Sequence, residues 1–188
     1  MKRNIKCQTP IFPMPVLMIA TYNEDNSIDV MNAAWGMMQD YNHIIINIDV
    51  SHQTADNIKK RKAFSVSLAD LDHLKEADYL GLTSAKNNKN KFKDSGLSAT
   101  KSNLVDAPII NEFPLCMECE LVEYQENTTG CGVLGKIINT SANEEVLDNN
   151  QVNISKLKAL AFDPFTHGYY VVDKRVGEAF KDGLKIKK

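Results

Sequence analysis

No run in this 188-residue sequence stays apolar long enough to cross a bilayer. Lys2-Arg3 followed by Ile11 to Ala20 imitates the start of a secretory signal. Pro10, Pro13 and Pro15 interrupt that run, however, and no small-x-small cleavage site follows before Tyr22. The chain therefore reads as cytoplasmic and unprocessed. Charge of one sign is also missing. With 22 basic and 24 acidic residues the net charge is −2, and the basic footprint of a nucleic-acid binder is absent. The basic end, Lys181 to Lys188, reads as a solvated tail. The expected partners thus include neither nucleic acid nor membrane.

Several catalytic signatures are lacking too. There is no Gly-x-Ser-x-Gly elbow, no His-Glu-x-x-His and no phosphate loop ending in Gly-Lys-Ser/Thr. The histidines His43, His52, His73 and His167 are scattered, so a histidine-rich metal site has no support, and each reads as a lone surface side chain. The four cysteines are Cys7, Cys116, Cys119 and Cys131. Cys116-Met117-Glu118-Cys119 has the Cys-x-x-Cys form, but Leu115 to Leu121 alternates like a strand. On a strand, residues three apart face opposite ways, so these thiols cannot share an ion or close a bridge. A second ligand pair for structural zinc is also missing. They read as ordinary thiols in a reducing compartment.

What is present is mostly strand. Val16 to Ala20 is a compact apolar run, and Ile28 to Ala34 returns after the turn cluster Asn23-Glu24-Asp25-Asn26, which predicts a hairpin. Ile44 to Asp49, Phe64 to Leu68, Cys116 to Tyr124, Val133 to Thr140 and Tyr169 to Val172 read as further strands, with a turn at Asn127-Thr128-Thr129-Gly130. Short helices are predicted over Ala55 to Lys60 with Thr54 as N-cap, Leu74 to Leu82, Asn143 to Leu147 and Ile154 to Leu160. The fold class is mainly β with short α: an antiparallel, Greek-key-like barrel with peripheral helices, in a single domain spanning 1–188.

The only tryptophan lies in Met31-Asn32-Ala33-Ala34-Trp35-Gly36, where small side chains adjoin one large flat one. A flat aromatic ligand needs both a closely approachable backbone and a hydrophobic plate. The other reading of the same residues is a strand end whose Trp35 plugs the core. Ser51 and Thr54 open a helix, where free amides favour an anion, although Asp56 in the first turn opposes one. Ser84 and Lys91 add a hydroxyl and a positive charge.

Taken in order, these pieces resemble the flavin reductase-like proteins with the FMN-binding split barrel, most closely the flavoredoxin branch. Pro13-Met14-Pro15-Val16 is similar to the family's first barrel strand, and Met31 to Trp35 to its flavin-ring segment. Ser51-His52-Gln53-Thr54-Ala55-Asp56-Asn57-Ile58 resembles its Thr-x-x-Asn-Ile element. Ala77-Asp78-Tyr79-Leu80-Gly81, Ser84 and Asn90-Lys91-Phe92 resemble its Ala-Asp-x-x-Gly, Ser and Asp-Lys-Phe signatures. Ala107-Pro108-Ile109, Leu115 to Cys119, Gly135-Lys136-Ile137 and Val176 to Phe180 follow in family order. The resemblance implies FMN as cofactor, held by Asn32, Ala33, Ala34 and Trp35 at the ring. Ser51, Thr54, Ser84 and Lys91 would hold the phosphate, with Asn57 fixing the loop. It implies NAD(P)H as electron donor, a small-molecule or protein electron acceptor, and a homodimer. The alternative is an FMN-holding electron carrier that oxidises NAD(P)H poorly. Two departures stand out: Asn90 replaces the usual Asp, and a histidine common in relatives before the glycine aligned with Gly135 is missing, with Gly130 nearest its place.

Overall fold

The computed structural model describes residues 1–6, 9–127 and 130–186. Cys7, Thr128, Thr129 and the last two lysines of the basic tail lie outside the described residues. The strands are β1 (Met14–Pro15), β2 (Leu17–Tyr22), β3 (Ile28–Ala33), β4 (Gly36–Met38), β5 (His43–Ile48), β6 (Ala63–Leu68), β7 (Ala99–Lys101) and β8 (Pro108–Ile110). They continue as β9 (Leu115–Asn127), β10 (Gly130–Ala142), β11 (Leu147–Asp148), β12 (Gln151–Val152), β13 (Leu160–Asp163) and β14 (Gly168–Val171). The helices are α1 (Gln53–Arg61), α2 (Leu74–Leu82), α3 (Lys91–Asp94) and α4 (Ile154–Leu157).

Seven strands form one sheet in the order β3-β2-β6-β9-β10-β5-β4, with antiparallel pairing throughout. The sheet curls into a half-barrel. Leu17, Ile19 and Met31 near one edge share a core with Ile44, Ile46 and Ile48 near the other, around Phe64, Val66, Cys119 and Val133. Period-two alternation sends Val16, Met18, Ala20 and Val30 to a second core, against Ala77 and Leu80 of α2, Phe113 and Leu160. Burial on both faces is why Val16 to Ala20 reads as an unbroken apolar run. A small sheet, β1-β13-β14, caps this side.

The expected hairpin forms as β2–β3, in register from Leu17↔Ala33 to Tyr22↔Ile28. Three expectations are corrected. The helix predicted over Ile154 to Leu160 stops at Leu157, where Lys158 takes a left-handed conformation (φ 48°), and Leu160 begins β13. Asn143 to Leu147 narrows to a 3-10 turn, Glu144–Val146. Helix α1 starts two residues earlier than expected, at Gln53 with His52 as N-cap; Thr54 lies inside the first turn and its hydroxyl is used elsewhere.

Cys116 and Cys119 sit on β9, opposite Ser67 and Phe64 of β6. Cys119 packs in the barrel core, and burial pushes its thiol up to about 12. Cys116 is raised as well, by burial first. Both are free and buried, as is Cys131. Such thiols are poor nucleophiles at neutral pH.

Candidate functional site

Two cavities meet at the open end of the β2–β3 hairpin, and they differ in kind. The first, of about 230 Å³, is walled by Ala33, Ala34 and Trp35 on one side and Phe162 and Tyr169 on another. Trp35 is 53% exposed, so it is not a core plug. Its carbonyl accepts the Asn47 amide at 2.8 Å, which ties this segment to β5. Across from it, the Tyr169 hydroxyl donates to Asp78 Oδ1 of α2 at 2.8 Å. Burial and that carboxylate push Tyr169 up to about 12, so the ring is a neutral plate. Phe162 lies against it with 6.0 Å between centroids.

The second cavity, of about 290 Å³, lies between the starts of α1 and α3 and the end of α2. Its floor carries Asp29, Thr54 and Lys91, all buried. Lys91 Nζ stands 3.0 Å from Asp29 Oδ1. That oxygen has no aligned hydrogen bond among the described residues, so the contact is an ion pair. Thr54 Oγ1 donates to Asp29 Oδ2 at 2.5 Å. The consequence is chemical. A hydroxyl has one proton, and Thr54 has given its proton to Asp29, so its side chain can only accept. Ser84 is the reverse: its Oγ accepts the Lys86 amide at 3.3 Å, and its own proton remains to donate. The first amides of α1 also have no partner within the helix. Asp56, in that first turn, is offset by Lys86 at 3.2 Å.

Met31, Asn32 and His52 line both cavities and so mark their junction. The Asn32 amide donates to the Ala77 carbonyl of α2 at 3.1 Å. A Cβ on Gly81 would overlap that same amide, so the glycine is what lets the helix lie this close.

Of the residues singled out from sequence, Asn32, Ala33, Ala34, Trp35, Thr54, Ser84 and Lys91 come together here. Ser51 and Asn57 line neither cavity. Ser51 is exposed, its amide bound to Asp49 Oδ1 at 2.8 Å. Asn57 is buried beneath α1 and donates to Thr21 Oγ1 (3.0 Å) and Asn23 Oδ1 (2.8 Å), so it braces the hairpin from below. Sequence reasoning missed Asp29, His52, Phe162 and Tyr169. Asp29 carried a signal: a carboxylate between Ile28 and Val30 in an otherwise apolar strand. A larger cavity, about 560 Å³, lies elsewhere along Arg61, Lys101 and Ser102. Its Arg61 is already spent on Asp106 at 3.3 Å, the Asn23 carbonyl and Asn26 Oδ1, so it offers no free cation from that side chain.

An apolar slot joined to one lined by the Lys91–Asp29 pair, the Ser84 hydroxyl and the first amides of α1 suits a ligand with a flat ring at one end and a hydrogen-bond-accepting anion at the other. The flavin reductase like domain model matches residues 9–163. The chain belongs to the flavin reductase-like family. Within it, the structure is similar to the flavoredoxin of Desulfovibrio vulgaris (Miyazaki F), with a TM-score of 0.91 and 28% identity, covering 97% of this chain and 100% of that one. The flavoredoxin from Methanosarcina acetivorans superposes with a TM-score of 0.87 at 26% identity, covering 97% and 98%. An uncharacterized protein of Bacillus subtilis (strain 168) is 24% identical over 200 residues, 95% of this chain and 93% of its own length. The curled antiparallel sheet is thus the flavin reductase-like split barrel. No helix among the described residues is long and apolar enough to cross a membrane.

Proposed function

We propose that this protein is an FMN-binding oxidoreductase that passes electrons from NAD(P)H, through FMN, to a downstream acceptor. The observation that carries the reading is the paired cavity, apolar beside Trp35 and polar around the Lys91–Asp29 pair, joined at Met31, Asn32 and His52. Neither half reaches the roughly 300 Å³ of a small-molecule site, whereas the two joined do. The residues therefore fit FMN, whose ring is flat and aromatic and whose phosphate is anionic.

Bound FMN supplies the electron chemistry, while the protein supplies binding, orientation and electrostatics. Ala33 and Ala34 admit the ring edge close to the backbone. Trp35, Phe162 and Tyr169 flank it and exclude water. Lys91 and Ser84 hold the phosphate with the first amides of α1, where a helix start favours an anion. Thr54 contributes through Asp29, which it and Lys91 grip together. A homodimer is supported by Trp35, Met37, Met38 and Tyr41, exposed on and beside the sheet-edge strand β4 next to the ring cavity.

The second reading, an electron carrier that oxidises NAD(P)H poorly, is favoured by one feature. No histidine occurs among Gly130, Cys131, Gly132, Val133, Leu134 and Gly135. Anaerobic addition of NADH or NADPH to the FMN-loaded protein separates the two. Bleaching of the visible flavin bands within seconds is the expected result. A spectrum unchanged by either nucleotide but bleached by dithionite would make it a carrier. Failure to bind FMN would remove both.

A further inference from the structure

Alone among the four histidines, His52 has no ring hydrogen bond, ion pair or stacking partner among the described residues, although Asp49 is near enough to feel its charge. His43 Nδ1 meets Asp40 at 3.0 Å, His73 Nδ1 meets Asp70 at 2.9 Å, and His167 stacks on Phe162. The His52 ring is exposed, makes no hydrogen bond among the described residues, and lines both cavities. Asn47, Ile48 and His52 come to the ring cavity from the β5–α1 segment, and Phe162 and Tyr169 from β13 and β14. Asn32, the third polar residue at the junction, has its amide committed to Ala77.

With the phosphate at Lys91 and the ring at Trp35, the junction would hold the ring nitrogen that carries the ribityl chain. Two edges flank that nitrogen: the polar N1–C2=O edge and the apolar benzenoid edge. The first offers hydrogen-bond acceptors and the second only C–H groups, so an N–H donor at the junction has a partner only in the first.

We propose that His52 donates its ring N–H to the N1–C2=O edge of FMN and thereby sets the affinity for the reduced over the oxidised flavin. The inference rests on the FMN-binding reading above. Oxidised flavin takes up two electrons and one proton, the proton going to N5, and the net negative charge gained spreads over N1 and C2=O. An imidazole carries at least one N–H donor whether neutral or protonated. A donor aimed where charge develops favours the charged form more than the neutral one.

The test measures Kd for oxidised FMN by fluorescence quenching and the midpoint potential of the bound flavin, with dithionite as electron source. His52→Leu should bind oxidised FMN within about threefold of the parent. It should lose about tenfold in affinity for reduced relative to oxidised FMN, read as a midpoint potential about 30 mV lower for this two-electron couple. His52→Lys, which restores a donor, should return the ratio to at least the parent's. A potential unchanged in His52→Leu overturns the proposal. So does an equal loss for both redox states, which would place His52 on the ribityl hydroxyls or phosphate. If the parent itself fails to bind FMN, the FMN reading falls and takes the proposal with it. Being exposed, His52 can be replaced without loss of folding.

Discussion

The cavity beside Trp35 and the cavity beside Lys91 share three wall residues, yet their walls are held by different forces. The first is shaped by what is small or flat: Ala33, Ala34 and the rings of Trp35, Phe162 and Tyr169. Its polar atoms are tied outward, Tyr169 to Asp78 and Asn32 to Ala77. The second is shaped by a charge pair taken out of water, Asp29 at 0% and Lys91 at 3% exposure, with Thr54 closing it. A ring slot can thus lose one wall and still fold, whereas a buried pair cannot lose one member cheaply. The difference teaches which substitutions report on ligand binding and which report on the fold.

The strongest way to break this contrast is Lys91→Met. It strands the Asp29 carboxylate, and urea unfolding of the apoprotein should show a loss of about 3–5 kcal/mol. Asp29→Asn combined with Lys91→Met should recover most of that. FMN affinity should fall about tenfold or more in the double variant, while riboflavin, which lacks the phosphate, barely responds. A Lys91→Met protein as stable as its parent would dissolve the distinction between the two cavities.

A matched glycine pair sharpens it. At Gly81 a Cβ would overlap the Asn32 amide, and at Gly135 it would overlap the Phe64 ring inside the barrel. Overpacking of this kind costs about 1–3 kcal/mol. Gly135→Ala should therefore lower stability by that amount and leave FMN affinity alone. Gly81→Ala should push Asn32 into the junction and weaken FMN about tenfold. Interchanged outcomes would mean that Asn32 does not shape the site.

Trp35→Ala should weaken FMN by about 0.5–3 kcal/mol, the scale of lost aromatic contact and apolar burial. Stability should stay within about 0.5 kcal/mol, since the side chain is half in solvent. Equal binding by Trp35→Ala and the parent would leave the ring to Phe162 and Tyr169.

The smallest effect belongs to Tyr169→Phe, which loses one hydrogen bond worth about 1 kcal/mol. Tyr169 holds its proton more tightly folded than unfolded, about 12 against an ordinary 10. Its contribution is therefore full below pH 10 and drains away as pH rises toward 12. The stability difference between parent and Tyr169→Phe should shrink over that window. A difference independent of pH would mean that the Asp78 bond contributes nothing.

Much of this was legible because strands advertise themselves locally. The alternation of Leu115 to Leu121 placed Cys116 and Cys119 on a strand before any coordinates, and Leu74 to Leu82 matched α2 to the residue. What stayed hidden depends on contacts distant in the chain. Thr54 looked like a helix cap because helix starts favour hydroxyls, but the helix begins before it, and inside the first turn its hydroxyl donates to Asp29, 25 residues earlier. Leu160 continued a helical pattern in sequence until pairing with Val171 made it a strand. The resemblance implies that Asn57 fixes the loop, but the groups it reaches, Thr21 and Asn23, lie 36 and 34 residues earlier in the chain. His52 gave no sign, since nothing local tells a solvated imidazole from one at a cavity junction.

The Asp29–Lys91 pair has one more consequence, and it concerns traffic. A phosphate site made of unpaired cations would repel itself when vacant and tend to collapse or trap a stray anion. Here the counter-charge is built into the strand, so departure of the ligand leaves no naked ammonium behind. The vacant protein keeps its shape and waits for the next molecule. Binding then adds stability by mass action, in step with the free FMN concentration, without being required for folding. Under the proposed FMN reading, such a receptacle would be emptied by dilution and refilled from a pool, its occupancy following how much flavin the surroundings hold.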